Sequence, residues 1–124
     1  MENKEYVNNK IATAYKLFKN NKFTRKARAI VIKDSKLLVI KITYNDGRIH
    51  YLFPGGTVDE GESIKNTASR ESLEEYNINV IPTKLLGKQY YNIELNHNGE
   101  IFKSRNIDYY YICEYISDAN NLQL

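Results

Sequence analysis

The stretch from Pro54 to Ile78, P-G-G-T-V-D-E-G-E-S-I-K-N-T-A-S-R-E-S-L-E-E-Y-N-I, constrains this chain more than any other. A proline followed by two glycines forces a tight turn, because glycine reaches backbone conformations that a Cβ forbids. Glu62 follows the turn, and Ser63 stands at the position of a helix N-cap. The helix predicted over Ser63 to Tyr76 carries Glu71, Glu74 and Glu75 at i, i+3 and i+4, so one turn presents three carboxylates on one face. Like charges that close destabilise a helix unless a cation satisfies them. The pattern is that of a divalent-metal site built for phosphates.

Each feature has an ordinary explanation when taken alone. An acidic cluster beside an arginine is usually a solvated face, with Arg70 pairing Glu74. A Pro-Gly-Gly is usually only a turn, and Glu62-Ser63 only the entry to a helix. Their joint spacing is another matter. It resembles the Nudix box, G-x5-E-x7-R-E-U-x-E-E-x-G-U with U an aliphatic residue. Gly56, Glu62, Arg70, Glu71, Glu74, Glu75 and Ile78 match it, and Leu52-Phe53-Pro54-Gly55 resembles the usual approach to the box. Two positions depart. Ser72 stands where an aliphatic is usual, and Asn77 replaces the closing glycine, a mild change because Asn tolerates the left-handed conformation of a helix C-terminus.

The resemblance implies a fold and a chemistry. The fold is α/β, an α/β/α sandwich with a mixed, curved β-sheet flanked by helices. The activity is hydrolysis of a phosphoanhydride bond in a nucleoside diphosphate linked to another group, with Mg²⁺ or Mn²⁺ as cofactor. Glu71, Glu74, Glu75 and the Gly55 carbonyl would be metal ligands, Gly55 and Gly56 would form the turn of the motif, and Glu62 would be a supporting acid. Arg70 would fix a glutamate rather than touch substrate. The general base would be Glu71 or a later acid, for which Glu94, Glu100, Glu114 and Asp118 are candidates. Arg28, Arg48, Tyr51 and Tyr91 are candidates for holding substrate, against the ordinary reading of solvated arginines and strand tyrosines.

The rest of the chain supplies the frame. With 124 residues, one domain fits: a helical extension over 1–24 and a core over 25–124. Val7, Ile11, Ala14 and Phe18 give residues 4–20 an amphipathic helical period, which Asn20-Asn21-Lys22 breaks. Strands are predicted over 27–33, 37–44 and 49–53, with Asn45-Asp46-Gly47 as a hairpin signal. After the box come a short piece over 78–81 ended by Pro82, then long runs over 85–95 and 101–115 around His97-Asn98-Gly99. Members of the resembled family generally continue with another strand and helix, whereas residues 116–124 here are polar-leaning. The expectation is that the chain is a fragment, that the N-terminal helix covers the free sheet face, or that a second copy does so in a homodimer.

Composition sorts the partners. No signal peptide or membrane-length apolar run is visible, and Cys113 is the single cysteine, which together fit a cytoplasmic protein with no membrane partner. Cys113 itself reads as a small core residue. The net charge of +3 is uneven: Lys16, Lys19, Lys22, Arg25, Lys26 and Arg28 follow one another with no acid between them. Such a run is usually solvated, but it also suits RNA. A nucleotide-type diphosphate is therefore the favoured substrate, with RNA 5′ pyrophosphate trimming and a non-catalytic nucleotide sensor as the alternatives. An isomerase on the same scaffold would need a cysteine in a polar setting, which Cys113 lacks.

Overall fold

The computed structural model describes residues 13–119. Val7 and Ile11, which carry half of the predicted amphipathic period, lie outside the described residues, as do residues 120–124. Helix α1 occupies residues 13–19 and ends where predicted: Asn21 takes a left-handed φ of 58°, and the N–H groups of Asn20 and Lys22 return to the carbonyls of Lys16 and Leu17.

The strands are β1 (Thr24–Lys33), β2 (Lys36–Leu37), β3 (Ile40–Thr43), β4 (Ile49–Leu52), β5 (Gly55–Thr57), β6 (Ile78–His97) and β7 (Glu100–Asp118), with helix α2 (Ile64–Tyr76) between β5 and β6. The main sheet runs β2-β1-β7-β6, with β5 also on β1. The β1–β7 pairing is parallel and the others antiparallel, so the sheet is mixed as expected. Two-residue turns close both tight hairpins. Asp34 and Ser35 join β1 to β2, Asn98 and Gly99 join β6 to β7, and all four have positive φ, the requirement of a turn whose twist matches its strands.

Two sequence expectations need correction. The single strand predicted over 37–44 is two, because Leu38 and Val39 carry the chain out of the main sheet into a separate β3–β4 ribbon. The short piece predicted to end at Pro82 is the start of one continuous β6. Its ladder to β7 shifts register at Pro82/Lys84, with further shifts at Asn79/Val80 and Leu85/Gly87. A proline lacks only an N–H, and at an irregularity the ladder has no use for one.

Alternation along β1 sends Ala27, Ala29 and Val31 to the face that α2 covers. They are buried with Ala68 of α2, Ile78, Val80 and Cys113, and Tyr111, Tyr115, Ile64 and Tyr76 pack around them. The small side chains of Ala27, Ala29 and Ala68 let helix and sheet approach closely. Burial pushes the Cys113 thiol up to about 11, the behaviour of a core cysteine. The same alternation sends Thr24, Lys26 and Arg28 to the opposite face. There α1 packs at one end, where Tyr15 meets Phe102 edge-on at 5.3 Å and Arg105 donates to the Phe18 carbonyl at 2.9 Å. Among the described residues the mixed sheet thus has one helix on each face. No helix among the described residues is long and apolar enough to cross a membrane.

Candidate active site

The glycine turn is pressed against β1. Gly55 pairs with Arg28 and Gly56 with Ala27, and the Pro54 carbonyl accepts from Ala29 N–H at 2.8 Å. A Cβ on Gly55 would overlap the Ala27 carbonyl and stand 2.7 Å from Arg28 Cδ. A Cβ on Gly56 would stand 2.5 Å from Glu71 Oε1. The first glycine is required by the sheet, the second by a carboxylate of the following helix.

That helix begins at Ser63, whose hydroxyl accepts from Asn66 N–H at 3.0 Å. It ends at Asn77, which takes φ 63° and ψ 37° and donates its N–H to the Leu73 carbonyl, the geometry that a closing glycine would supply. Between these caps the box acids line up against the turn. Glu75 Oε1 accepts the Gly55 N–H at 2.8 Å, and the Glu71 carboxylate lies over Gly56.

Arg70 ties the acids together. Its Nε and Nη2 donate to the two oxygens of Glu62 at 2.7 and 3.0 Å, a bidentate pair. Nη1 reaches Glu71 at 3.0 Å and Glu74 at 3.2 Å, while Nη2 also meets the Thr57 carbonyl and Asp59. The isolated Arg70–Glu74 pair of a solvated face is thus one part of a hub. The guanidinium beside Glu62 holds that carboxyl down at about 2, with the Thr67 hydroxyl and Asp59 N–H adding to the effect. The Arg70 guanidinium is itself raised beyond its ordinary range, first by its bond to Glu62. Glu71 goes the other way: burial pushes its carboxyl above the usual range, Arg70 opposes this, and the charges of Glu75 and Glu74 add to it.

One guanidinium therefore serves Asp59, Glu62, Glu71 and Glu74, while Glu75 sits on the turn. The excess of carboxylate is a fit for a hard divalent ion, whose preferred ligands are oxygens. Among the described residues no three Asp, Glu, His or Cys side chains converge as a cage. Arg70 holds Glu71 and Glu74, and the Gly55 N–H holds Glu75. The donor chemistry fits the ion; closing a cage needs side-chain rotation.

The other predicted residues fall into two groups. Arg28 and Tyr91 come together through a residue that the sequence reading missed. Asp108, with a side chain only 7% exposed, accepts from the Tyr91 hydroxyl at 2.8 Å and from Arg28 Nε at 3.4 Å. Arg28 also donates to the Phe53 carbonyl at 3.3 Å, directly before the glycine turn. Burial, then the bond to Asp108, raises the Tyr91 hydroxyl above its ordinary range. The signal was an aspartate inside the aromatic run Ile107 to Ile112. Arg48 and Tyr51 are not brought to the box. They lie on the β3–β4 ribbon, where Arg48 pairs with Asp46 at 2.7 Å and Tyr51 is 62% exposed. Of the later acids, Glu94 pairs loosely with Lys103 at 3.8 Å, Asp118 accepts from Tyr115 at 2.6 Å, and Glu100 and Glu114 are exposed.

A glycine turn bound by its own helix's carboxylates, on a mixed sheet with a helix on each face, defines the class. Residues 23–123 match the NUDIX domain, and the chain belongs to the Nudix family. Among solved structures it resembles a NUDIX hydrolase from Nitrosomonas europaea, with 25% identity over 83% of this chain and 66% of that one, at a TM-score of 0.61. It also has the fold of an ADP-ribose pyrophosphatase from Streptococcus suis 89-1591 (20% identity, 77% of this chain and 63% of that one, TM-score 0.53). The MutT protein from Methanosarcina mazei Go1 shares the fold as well (22% identity, 79% of this chain and 68% of that one, TM-score 0.56). The chain spans less than two thirds of the length of the first two structures. No curated protein matches it.

Proposed function

We propose that this chain is a pyrophosphohydrolase that uses Mg²⁺ or Mn²⁺ to cut a phosphoanhydride bond in a nucleoside diphosphate linked to another group. The observation that carries the reading is the carboxylate excess at the glycine turn, four acids around a single arginine and a fifth, Glu75, on the Gly55 N–H. A substrate that is itself multiply anionic would be repelled by that site unless cations stood between. Glu71, Glu74, Glu75 and the Gly55 carbonyl would hold the ion. When bound there it supplies charge neutralisation for the diphosphate and a more acidic water.

The chain's own residues do the positioning. Arg70 anchors Glu62 bidentately and so fixes its own guanidinium under Glu71 and Glu74, giving both carboxylates a defined starting orientation. Glu71, whose carboxylate lies over Gly56 at the turn, is the candidate proton acceptor among the box acids. Arg28, held by Asp108, fixes the Phe53 carbonyl and with it the entry to the turn.

The test is product release with Mg²⁺ or Mn²⁺ across deoxynucleoside triphosphates, ADP-ribose, nucleotide sugars, dinucleoside polyphosphates and 5′-triphosphate RNA. Glu75→Gln serves as control, since it removes one charge at constant shape. The expected result is metal-dependent turnover of one class, lost by at least about a hundredfold in the variant. Undiminished turnover in Glu75→Gln would sink the ligand assignment. Silence across the panel with nucleotide binding intact would favour a sensor.

A further inference from the structure

The basic run between Lys16 and Arg28 acquires a location in the fold. A cavity of about 770 Å³ opens between α1, the start of β1, the loop 57–60 and the β6–β7 pair. Four of the six basic residues line it: Lys16 on α1, Lys22 in the turn, and Arg25 and Lys26 on β1. The carboxylates in the same wall are Asp59 and Glu60, and Asp59 already faces Arg70 at 3.4 Å. The cavity is therefore net cationic beside a site that is strongly anionic.

The sheet side of the cavity is unusual for a surface covered by a helix. Where Val or Leu would be expected, Thr24, Ser104 and Asn106 line it, all nearly fully buried. Asn106 donates to the Ser104 hydroxyl at 2.9 Å and to its carbonyl at 3.2 Å, and the Thr24 hydroxyl is buried with no hydrogen-bond partner among the described residues. Buried polar groups are costly where packing alone is the purpose, and useful where a polar ligand is received. The volume lies within the range of small-molecule sites.

The wall of this cavity is also the start of the box. Thr57 gives its carbonyl to Arg70, and Asp59 and Glu62 join the same network. A molecule whose diphosphate lay at the acids would reach the cavity with its next group. We propose that the cavity is a binding subsite for a phosphorylated sugar, the group beyond the scissile diphosphate. Its phosphate is met by Lys16 and Lys22, and its hydroxyls by the polar wall. The inference rests on the hydrolytic reading above and narrows its substrate to one carrying a further sugar phosphate. A dinucleotide with a phosphate on its second sugar and the first internucleotide phosphate of an RNA 5′ end both present that chemistry.

The experiment uses the full chain and ribose 5-phosphate as probe, followed by calorimetry or chemical-shift titration without metal, with ribose as the uncharged comparison. Lys16→Gln/Lys22→Gln is the variant, because both side chains are exposed and outside the sheet. The expected result is saturable binding of ribose 5-phosphate but not ribose, weakened about tenfold in the variant and by added salt, with an unchanged Tm. Absence of saturable binding in the parent, or equal binding by parent and variant, overturns the subsite. Glu75→Gln separates the two readings, since it is expected to lose turnover and keep the probe. A parent that cuts no diphosphate yet binds the probe through these lysines supports the subsite and overturns the hydrolytic reading. In an active enzyme the lysine variant raises KM with kcat unchanged, for the dinucleotide or for 5′-triphosphate RNA, and the affected substrate identifies the source. An unchanged KM for both counts against the subsite.

Discussion

The box and the β3–β4 ribbon are neighbours in the chain, and each is built from a glycine turn and an arginine set among acids. They are built in opposite ways. Gly55 is required by what a Cβ would strike, the Ala27 carbonyl of another strand. Gly47, in the ribbon turn, has nothing within 4 Å of its ideal Cβ and is favoured only by a φ of 91°. Arg70 is 29% exposed and reaches four acids and a carbonyl from several elements, whereas Arg48 is 65% exposed and pairs with Asp46 two residues away. Among the described residues the β3 and β4 strands pair only with each other, and every residue of β4 is exposed. The comparison separates a turn whose geometry is fixed by the rest of the molecule from one whose geometry is its own.

The sharpest test of that contrast exchanges each glycine for alanine. Gly55→Ala forces β5 away from β1 and is expected to cost at least about 4 kcal/mol, enough to prevent folding in a domain of ordinary stability. Gly47→Ala carries only the left-handed backbone penalty, about 1 kcal/mol. Thermal melts of the two proteins decide it, and similar Tm values would erase the distinction.

The arginines give the next largest effect. Arg70→Leu leaves Glu62, Glu71 and Glu74 without their shared cation, and is expected to cost about 3 kcal/mol in denaturant unfolding. Arg48→Ala breaks an exposed pair and should cost less than about 0.5 kcal/mol. A similar loss in both would mean that the hub contributes no more than a surface ion pair.

Acid titration sharpens the same point. Glu62 has a folded-state value of about 2 against an ordinary 4.5, so the folded state binds its proton less readily than the unfolded chain. The associated stability, on the order of 1 kcal/mol once solvent screening of this partly exposed carboxylate is allowed for, is present above about 4.5 and is lost as pH falls toward 2. Unfolding free energies measured down that range should fall in the parent and be flatter in Arg70→Leu. The same slope in both would detach the effect from Arg70.

What the sequence revealed follows the same division. The box could be read because its determinants are local: Ser63 caps its helix, Asn77 ends it, and Glu71, Glu74 and Glu75 recur at helical spacing. The Asn98-Gly99 and Asp34-Ser35 turns are local too. The role of Asp108 is not, since it lies 80 residues from Arg28 and becomes meaningful only when β7 pairs with β1. Pro82 misled for a related reason: a proline ends a strand only if the ladder needs its N–H, and the register shift that removes the need is set by β7. Arg48 and Tyr51 looked equal to Arg28 and Tyr91 as residue types, and only the departure of the chain at Leu38 and Val39 separates the two pairs.

Ser72 gives the smallest effect and the finest test of how α2 sits on the sheet. It occupies a position where the family usually has an aliphatic residue, and it is fully buried, while its neighbour Leu73 is 42% exposed. The helix therefore turns a hydroxyl inward, and the hydroxyl returns to the Ala68 carbonyl at 2.8 Å within its own helix. Such a bond satisfies the donor without linking helix to sheet, and it slightly disfavours the helix that makes it. Ser72→Ala removes the bond and the buried polar atom together and gains about 0.5 kcal/mol of helix propensity. The expected result is an unchanged or slightly raised Tm with full turnover. Ser72→Leu must instead fit two more heavy atoms between α2 and β1, and is expected to lose about 1–3 kcal/mol by overpacking. If leucine stabilised the protein, the space above Ala27 and Ala29 would be larger than the structure gives, and the close seat of the box on β1 would have to be redrawn.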